Sequence, residues 1–328
     1  MNLNQDTAKP LVSVAMLAYM HEPFLRQAIE GVLAQETDFP IELVLGEDNS
    51  GDRTREIALE YQSKHPDIIR VITSEANVGM HENCRRTFAA CRGSYIALCE
   101  GDDFWPDTRK LQMQCSHLES HPECMLCFHT VRLLSTKPEE PLEEWRVSEE
   151  RIEWTVEDIL AANFISSPSV CFRNSTKSKF PSWIFDPELP MVDWPLFVWL
   201  LQKGTAHWHA EPMATYRVHS GGSWNSASER ERILKFLTFH TKIQAHIDES
   251  HRSICQRALG NFHLNLSKTY PQSRRMQIYH ICRSLVSFGR FLKIADLTPI
   301  SHRLARAIIG PRSSGGIRDE KSGALTDA

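Results

Sequence analysis

Between residues 11 and 100, short apolar segments alternate with segments of helical periodicity, and this pattern constrains the fold more than any other feature of the chain. The stretch LVSVAMLAY is almost continuously apolar, as expected for a strand buried on both faces of a parallel sheet. Three further apolar segments, IELVLGE, IIRVITSE and SYIALCE, follow at helix-length intervals. Strands and helices in this alternation predict right-handed βαβ units, and therefore an α/β fold built on a mostly parallel sheet that helices flank.

Beyond Asp103 the alternation is less regular. We predict a helix in TRKLQMQCSHLESHP, a strand in CMLCFHTVRLL and a polar, acidic excursion over 137–154. A short helix in TVEDILAANF, an extended SSPSVCFR, a helix in PLFVWLLQKG and a strand in HAEPMATYRVH follow. The pattern then predicts a helical C-terminal region over 226–310 and a disordered tail over 311–328.

The net charge of −4 conceals an asymmetry between the two ends of the chain. From Glu229 onward there are 17 Lys and Arg against 8 Asp and Glu, a net of +9, whereas the preceding part carries 20 against 33, a net of −13. The acidic front part argues against nucleic acid as a partner. The basic helical segment QIYHICRSLVSFGRFLKI is compatible with peripheral membrane contact, with packing in an oligomer, or with a solvated helical surface.

The location of the protein is also predicted from what the sequence lacks. No apolar run approaches the roughly 18 to 20 residues that a membrane-spanning helix needs. The N-terminal MNLNQDTAKP does not show the basic and then apolar pattern of a secretory signal. We expect a cytoplasmic protein, peripheral at the inner face of the membrane if its basic helices bind lipid.

Nine cysteines are scattered through apolar contexts, which is typical of buried thiols in a reducing compartment. Cys124 and Cys127 form a C-x-x-C, and further candidate zinc ligands lie nearby at Cys115, His117, His121 and His129. However, residues three apart in a strand point to opposite faces, and a second C-x-x-C is absent from the sequence. We therefore interpret the pair as core cysteines, with a zinc site as the alternative.

Three acids, Glu100, Asp102 and Asp103, follow directly after the fourth apolar strand. Open parallel sheets bind ligands just beyond the carboxyl ends of their strands, and acids placed there are costly unless a cation neutralises them. A hard divalent ion shared between carboxylates and substrate phosphates fits this position. The alternative is an acidic turn that caps a helix beginning near Trp105.

The ends of the first two strands carry side chains suited to a nucleoside. Glu47 and Asp48 lie at the same edge as the acidic segment, where a carboxylate can accept a hydrogen bond from a base or a ribose. Tyr19 follows the first strand and offers a ring that can stack on a base. The alternatives are a turn in which Ser50 or Asp52 caps the next helix, and a tyrosine that belongs to the core.

With these segments together, residues from about Leu11 to Gln114 resemble the family 2 glycosyltransferases of the GT-A fold. The family's first strand, turn and helix appear as SVAMLAYMHEPFLRQAIEGVLAQ, and its strand-two motif of paired acids appears as GEDNSGDRT. Its Asn-x-Gly element appears at Asn77, and its Asp-x-Asp-Asp motif appears as EGDD. The likeness continues more loosely through PMVDWPLFVWLLQKG and YRVHSGGSW. It implies a GT-A domain over 1–225, with a donor part at about 10–115 and an acceptor part at about 116–225.

The resemblance implies an inverting enzyme whose donor is a UDP- or dTDP-linked sugar. Tyr19 would stack on the base, Asp48 would accept a hydrogen bond from it, and Glu22 would lie near the nucleoside. Asp102 and Asp103 would meet the ribose and a divalent metal, Mn²⁺ or Mg²⁺, with Asp103 as the principal ligand.

The later motifs imply the remaining roles. Asp193 in PMVDWPLFVWL matches the family's general base, although an N-cap of the helix that follows is compatible with the same position. Arg217 would meet the diphosphate, and His219 the metal or a phosphate; the alternative is a strand end with two surface side chains. The acceptor would be a glycan or a lipid-linked sugar in the assembly of a bacterial-type surface polysaccharide.

The sequence departs from the family pattern at Leu17, Met20, Glu47 and Glu100, which leaves the identity of the base and the donor geometry open. A nucleotidyltransferase is disfavoured because AYMHEPFL lacks a glycine-rich phosphate loop, and a dehydrogenase because no GxGxxG follows a strand. A non-catalytic scaffold that binds nucleotide sugars is a further alternative.

Overall fold

The computed structural model describes residues 9–135, 143–148, 150–174, 180–222, 224, 226–289, 299–301, 303–304 and 307. Over these residues the chain forms a nine-stranded mixed sheet with helices packed on it, which confirms the predicted α/β class. The chain divides into two compact units, Met1–Ala258 and Leu259–Ala328. The predicted disordered tail, 311–328, lies outside the described residues.

The first half of the sheet is parallel, as the alternation predicted. Its order is β3-β2-β1-β4, with β1 (Val12–Ala18), β2 (Ile41–Glu47), β3 (Ile69–Ile72) and β4 (Tyr95–Leu98). The crossover helices are α1 (Leu25–Leu33), α2 (Thr54–Lys64) and α3 (Met80–Ala90), and α4 (Lys110–Ser120) follows β4. The apolar stripe of α1 is buried. Strand β1 pairs with a strand on each side, and it is buried along almost all of its length because both of its faces pack into apolar clusters. The carboxyl ends of these strands therefore share one edge.

The second half of the sheet is mixed. It contains β5 (Cys124–Ser135), β6 (Glu143–Trp145), β7 (Glu153–Trp154), β8 (Cys171–Arg173) and β9 (Thr205–Val218), with helices α5 (Val156–Ala161) and α6 (Asp193–Leu201). Strand β8 pairs antiparallel with β4 and with β5, and β9 runs parallel to β5. The parallel β5 and β9 carry the chain back to the edge at which β1 and β4 end.

Strand β9 begins at Thr205, four residues before the predicted start at His209. Glu211 and Pro212 interrupt the apolar pattern of β9. They lie in a bulge, because the register between β5 and β9 shifts there: His129 pairs with His209, but Val131 pairs with Ala214. The polar segment 137–154 contains the short strands β6 and β7, which the sequence pattern did not predict.

Cys124 and Cys127 lie on the same face of β5, so the prediction that they point to opposite faces was wrong. Strand β5 pairs Cys124 with Thr205 and Leu126 with Ala206, so Met125 is an extra residue in the ladder. Such a bulge shifts the alternation by one residue. The two sulfur atoms consequently lie 4.0 Å apart.

The predicted C-terminal helical region contains α7 (Glu229–Ile243), α8 (Arg252–Leu266) and α9 (Arg274–Phe288). Helix α7 belongs to the first unit, where the Phe239 ring stacks on Trp194 of α6 with 3.9 Å between centroids. The second unit has its own apolar cluster, which includes Leu264, Ile281 and Phe288. None of the described helices combines the length and the apolar composition that crossing a bilayer requires.

A fully buried lysine gives a testable stability prediction. Lys110 Nζ donates to Gln114 Oε1 at 2.8 Å and lies 4.1 Å from the centroid of the Trp105 ring. Burial lowers the pKa of Lys110 from 10.5 to about 8. Between these two pH values the unfolded chain binds a proton that the folded chain does not, so stability rises with pH through this window and is lowest below it.

We expect Lys110→Met to raise the free energy of unfolding at pH 7 by on the order of 1–3 kcal/mol, because it removes a buried charge. The gain should shrink as pH rises toward 10.5, where the wild-type lysine no longer carries the penalty. Urea denaturation of both proteins at pH 7 and pH 10 measures this difference. A destabilised variant at pH 7 with an unchanged pH dependence would contradict it.

Candidate active site

The ends of β1, β4 and β9 bring an acid and two histidines together. Asp102, in the loop after β4, places Oδ2 3.0 Å from His219 Nε2 and 3.7 Å from His21 Nε2. The loop lies against β1 because the Gly101 N–H donates to the carbonyl of Leu17 at 2.9 Å. The Asp102 side chain is 19% exposed, so part of its carboxylate faces solvent at the sheet edge.

Arg217, near the end of β9, fastens that strand to the loop after β4. Its backbone N–H donates to Asp103 Oδ1 at 2.8 Å, and its Nη1 donates to the Asp102 carbonyl at 2.5 Å. The guanidinium lies between the rings of Phe24 and Phe104, 5.1 and 4.5 Å from their centroids, and Nη2 donates to Gln27 Oε1. These contacts stabilise the position of His219, two residues further on.

Asp103 and Arg217 are themselves almost inaccessible. Asp103 is 2% exposed, and burial, together with the neighbouring Asp102 and Glu100, raises its pKa well above the ordinary carboxyl value. Burial lowers the pKa of Arg217, while the two aspartates oppose that change. The contacts of this buried pair suit it to holding the loop and the strand end in place.

A third group links the acidic loop to the start of α6. Ser167 Oγ donates to Asp193 Oδ2 at 3.2 Å, and the Trp194 N–H donates to Asp193 Oδ1 at 2.7 Å. Asp193 is the first residue of α6, and the preceding Val192 is its N-cap. Burial raises the pKa of Asp193.

Glu100 lies within electrostatic reach of both Asp102 and Asp193. Burial, followed by the charges of these two aspartates, raises its pKa to about 8, and a hydrogen bond from Ser167 opposes the rise. Its Oε2 atom is buried and lacks a hydrogen-bond partner among the described residues. The acidic loop, Ser167 and Asp193 therefore form one continuous polar surface.

Asp48 makes a separate set of contacts on the other side of β1. Its carboxylate accepts hydrogen bonds from the backbone N–H groups of Val78 and Gly79, at 2.8 and 2.9 Å. Gly79 has φ +84°, a left-handed conformation that glycine adopts readily. Arg86 Nη2 approaches Asp48 Oδ1 at 3.7 Å. The contacts of Asp48 thus fix the loop before α3, and they do not include the Asp102 group.

The loops after β1 and β2 are bonded to each other. Glu22 accepts a hydrogen bond from the Arg53 N–H at 3.0 Å, and the Met20 N–H donates to Ser50 Oγ at 3.0 Å. Met20 has φ +57°, a conformation that asparagine tolerates better than methionine, so the departure from the family's usual Asn lies at a strained position. Tyr19, in the same loop, is 48% exposed and presents its ring at the sheet edge.

The side chains around Asp102 include atoms that can coordinate a divalent cation. Asp102 and His219 offer oxygen and nitrogen atoms at the rim, and Glu100 contributes a buried oxygen without a described partner. Carboxylate oxygens suit both Mg²⁺ and Mn²⁺. Of the two aspartates assigned to the metal from the sequence, Asp102 is the better presented, because Asp103 is buried and its Oδ1 is already bonded.

Sequence reasoning did not assign roles to His21, Gln27 or Ser167. A signal existed for His21, since it follows β1 directly at the sheet edge where ligands bind. Gln27 and Ser167 carried no comparable signal. Gln27 lies on a helix that the sequence described only by its apolar stripe, and Ser167 lies in a short 3₁₀ turn, Ser167–Ser169.

The chain resembles a number of known proteins. An uncharacterized protein of Mycobacterium tuberculosis is 38% identical over 221 residues, which cover 66% of this chain and 61% of that protein. The matched part of the chain thus spans 61% of the length of this relative and of two similar mycobacterial proteins.

Two solved structures share the fold. TarS 1–349 of S. aureus superposes with a TM-score of 0.61 at 14% identity, covering 91% of each chain. The mannosyltransferase PcManGT of Pyrobaculum calidifontis, solved with GDP-Man and Mn²⁺, gives a TM-score of 0.58 at 15% identity, covering 93% of this chain and 82% of that one. Both neighbours are GT-A glycosyltransferases, and the coverage of each alignment extends over most of this chain.

The sequence profile of glycosyl transferase family 2 matches residues 13–178, about half of the chain. The matched segment runs from β1 past β8 and contains the acidic loop with Glu100, Asp102 and Asp103. On this match and on the shared architecture, the chain belongs to glycosyl transferase family 2 and has the GT-A fold.

Proposed function

We propose that the chain transfers a sugar, with inversion, from a UDP- or dTDP-linked donor to a hydroxyl of a glycan or lipid-linked acceptor. The observation that carries this proposal is the continuous polar surface from His219 and Asp102, through Glu100 and Ser167, to Asp193. It places acids suited to a metal diphosphate near a carboxylate suited to proton removal. Two structures of the neighbour TarS 1–349, in complex with UDP (TM-score 0.56) and with UDP-GlcNAc (TM-score 0.54), support a nucleotide-sugar donor.

The donor would lie along the edge formed by the ends of β1, β2 and β4. Tyr19 would stack on the base, while Glu22 and Asp48 would shape the nucleoside pocket through the loops that they hold. Asp102 and His219 would hold a divalent cation, with Asp103 supporting the loop that carries Asp102. When bound, this Mn²⁺ or Mg²⁺ would supply positive charge to offset the charge that develops on the departing diphosphate.

Asp193 would act as the general base. The acceptor hydroxyl attacks the anomeric carbon from the face opposite the diphosphate, so the new carbon–oxygen bond forms as the bond to the diphosphate oxygen breaks. The hydroxyl proton passes to the Asp193 carboxylate. Ser167 and the Trp194 N–H each bond one oxygen of that carboxylate and orient it. Burial raises the pKa of Asp193, which makes it a stronger base than an exposed aspartate.

The basic C-terminal helices would contribute to acceptor access. Helix α9 begins with Arg274 and Arg275 and exposes Tyr279 and Val286, the latter 72% exposed. Exposed apolar side chains beside arginines favour contact with an anionic membrane surface. On this proposal, α9 brings the enzyme to a lipid-linked acceptor.

A panel of nucleotide sugars tests the proposed donor class. In a thermal-shift assay with Mn²⁺, we expect UDP- or dTDP-linked sugars to raise the melting temperature, because a ligand that binds only the folded state stabilises it. GDP- and CMP-linked sugars serve as controls and should leave it unchanged. A shift with GDP-linked sugars alone would contradict the proposed base, and no shift with any donor would contradict the site.

The exposed ring of Tyr19 gives a kinetic prediction. Stacking of an aromatic ring on a base contributes roughly 1–3 kcal/mol, so we expect Tyr19→Ala to raise the KM for the donor about tenfold or more with little change in kcat. Tyr19→Phe keeps the ring and should resemble the wild type. Initial rates over a range of donor concentrations give both constants. Wild-type KM in the alanine variant would exclude this role.

A further inference from the structure

The start of β5 and the last turns of α4 hold a second cluster of metal-ligating side chains. A ring nitrogen of His117 and the sulfur atoms of Cys124 and Cys127 all lie within 4.8 Å of one another. Both cysteines are buried, whereas His117 is partly exposed. None of these residues belongs to the candidate active site.

The β-bulge explains how a C-x-x-C in a strand can present both thiols to one point. Because Met125 is the extra residue, Cys124 and Cys127 lie on the same face of β5, with their sulfur atoms 4.0 Å apart. In a tetrahedral site with metal–sulfur bonds of about 2.3 Å, two thiolates lie roughly 3.8 Å apart. The thiols thus already have nearly the separation that such a site requires.

The imidazole of His117 is held in place between two other histidine rings. Its ring stacks on His121 with 4.0 Å between centroids and on His207, of β9, with 3.7 Å. Stacking on both faces fixes the plane of the His117 ring, and one of its nitrogen atoms lies within 4.8 Å of both cysteine sulfurs. His121 and His207 act as positioning residues for this ring.

We propose that His117, Cys124 and Cys127 bind a zinc ion, with solvent at the fourth position. Two thiolates and one imidazole form a donor set that prefers a borderline-soft cation such as Zn²⁺ to the hard Mg²⁺. On binding, the two thiols release their protons to solvent, the three ligand atoms each donate a lone pair, and no group is oxidised or reduced. The three ligand atoms lie within 4.8 Å of one another, not far above the separation of atoms that share one tetrahedral ion.

The cluster lies at the other end of β5 and β9 from the candidate active site. Strands β5 and β9 are parallel, with Cys124 opposite Thr205 at their starts and Leu134 opposite Arg217 near their ends. The two cysteines therefore lie where these strands begin, whereas Arg217 and the candidate active site lie where the strands end. A zinc ion here would tie α4 to the first residues of β5, and β5 pairs with β9, the strand that carries Arg217.

Metal analysis of the full-length chain tests this proposal. Protein purified in reductant, without chelator, should contain stoichiometric zinc that survives gel filtration. Replacing the zinc with Co²⁺ should produce thiolate-to-cobalt charge-transfer absorption, which reports sulfur ligation in the wild-type chain. We expect Cys124→Ser, Cys127→Ser and His117→Gln each to lose the zinc. Cys282→Ser, at an exposed cysteine outside the cluster, and Asp102→Asn, at the candidate active site, should retain it.

Each outcome decides the proposal. Absence of the charge-transfer band in the wild-type chain overturns it, whether or not the variants fold. Full zinc content in Cys127→Ser also overturns it, as does a Cys124–Cys127 disulfide in place of metal under reducing conditions. A band in the wild type, together with zinc loss confined to the three cluster variants, supports it. So does a fall in melting temperature when a chelator removes the zinc from the wild type.

Discussion

Asp193→Asn is expected to lower kcat for sugar transfer by roughly 10²–10⁴-fold, the range that general base catalysis contributes. The amide keeps an oxygen that can accept from the Trp194 N–H and a group that can bond Ser167, so the start of α6 should stay folded. What it loses is the ability to take a proton from the acceptor. Binding of the donor should change little, because the contacts of Asp193 do not include the donor edge. Steady-state rates with saturating donor and acceptor measure the effect.

Asp186→Asn is the matched control for this substitution. Asp186 forms an ion pair with Lys242 at 2.9 Å, and the same chemical change there should leave kcat unaltered. The wild-type pH profile adds a second check. Because burial raises the pKa of Asp193, activity should rise with pH through a limb that lies above the ordinary carboxyl range. Wild-type kcat in Asp193→Asn would exclude this residue as the base.

Asp102→Asn is expected to reduce kcat/KM by at least about 10²–10³-fold, the loss typical when charge stabilisation at a leaving group is removed. Its side chain contacts His219 and His21, whereas the bond from Arg217 goes to its backbone carbonyl, which the substitution retains. The loop should therefore keep its shape while the proposed metal ligand is weakened.

Asp107→Asn, in the same segment, is the control for Asp102→Asn. Asp107 pairs with the exposed Arg109 and makes no described contact with His219, so its loss should not alter transfer. Excess Mn²⁺ should partly restore activity to Asp102→Asn if the defect is in metal affinity. Undiminished activity of that variant in the presence of a chelator would contradict the assignment.

The parallel half of the fold was predictable because its information is local. Each of β1 to β4 is a short apolar run, and each crossover helix has its own apolar stripe. The start of β9 was not predictable in this way, since the strand continues through Glu211 and Pro212 only because β5 pairs beside it. The bulge at Met125 is equally non-local, and it alone decides whether Cys124 and Cys127 face each other.

The sequence predicted where the candidate site lies in the fold, but not how its side chains are oriented. The rule that ligands bind at strand ends placed Asp102 and Asp103 at one edge of the sheet, and the family resemblance added His219. The structure brings all three to that edge. The sequence pattern did not predict that the Asp103 carboxylate is buried against the backbone N–H of Arg217. Nor did it predict that Asp48 accepts hydrogen bonds from the backbone N–H groups of Val78 and Gly79. Those orientations depend on loops from distant parts of the chain, whose conformations a single sequence does not specify.

Binding of Mn²⁺ tests the central claim, that Asp102 and its neighbours form a site for a metal-bound nucleoside diphosphate. Electron paramagnetic resonance measures free Mn²⁺ directly as protein is added in the presence of UDP. We expect the wild type and Asp107→Asn to deplete the free-ion signal, and Asp102→Asn to leave it nearly unchanged. Equal depletion by Asp102→Asn and the wild type would mean that the cation binds elsewhere, and the proposed active site would be wrong.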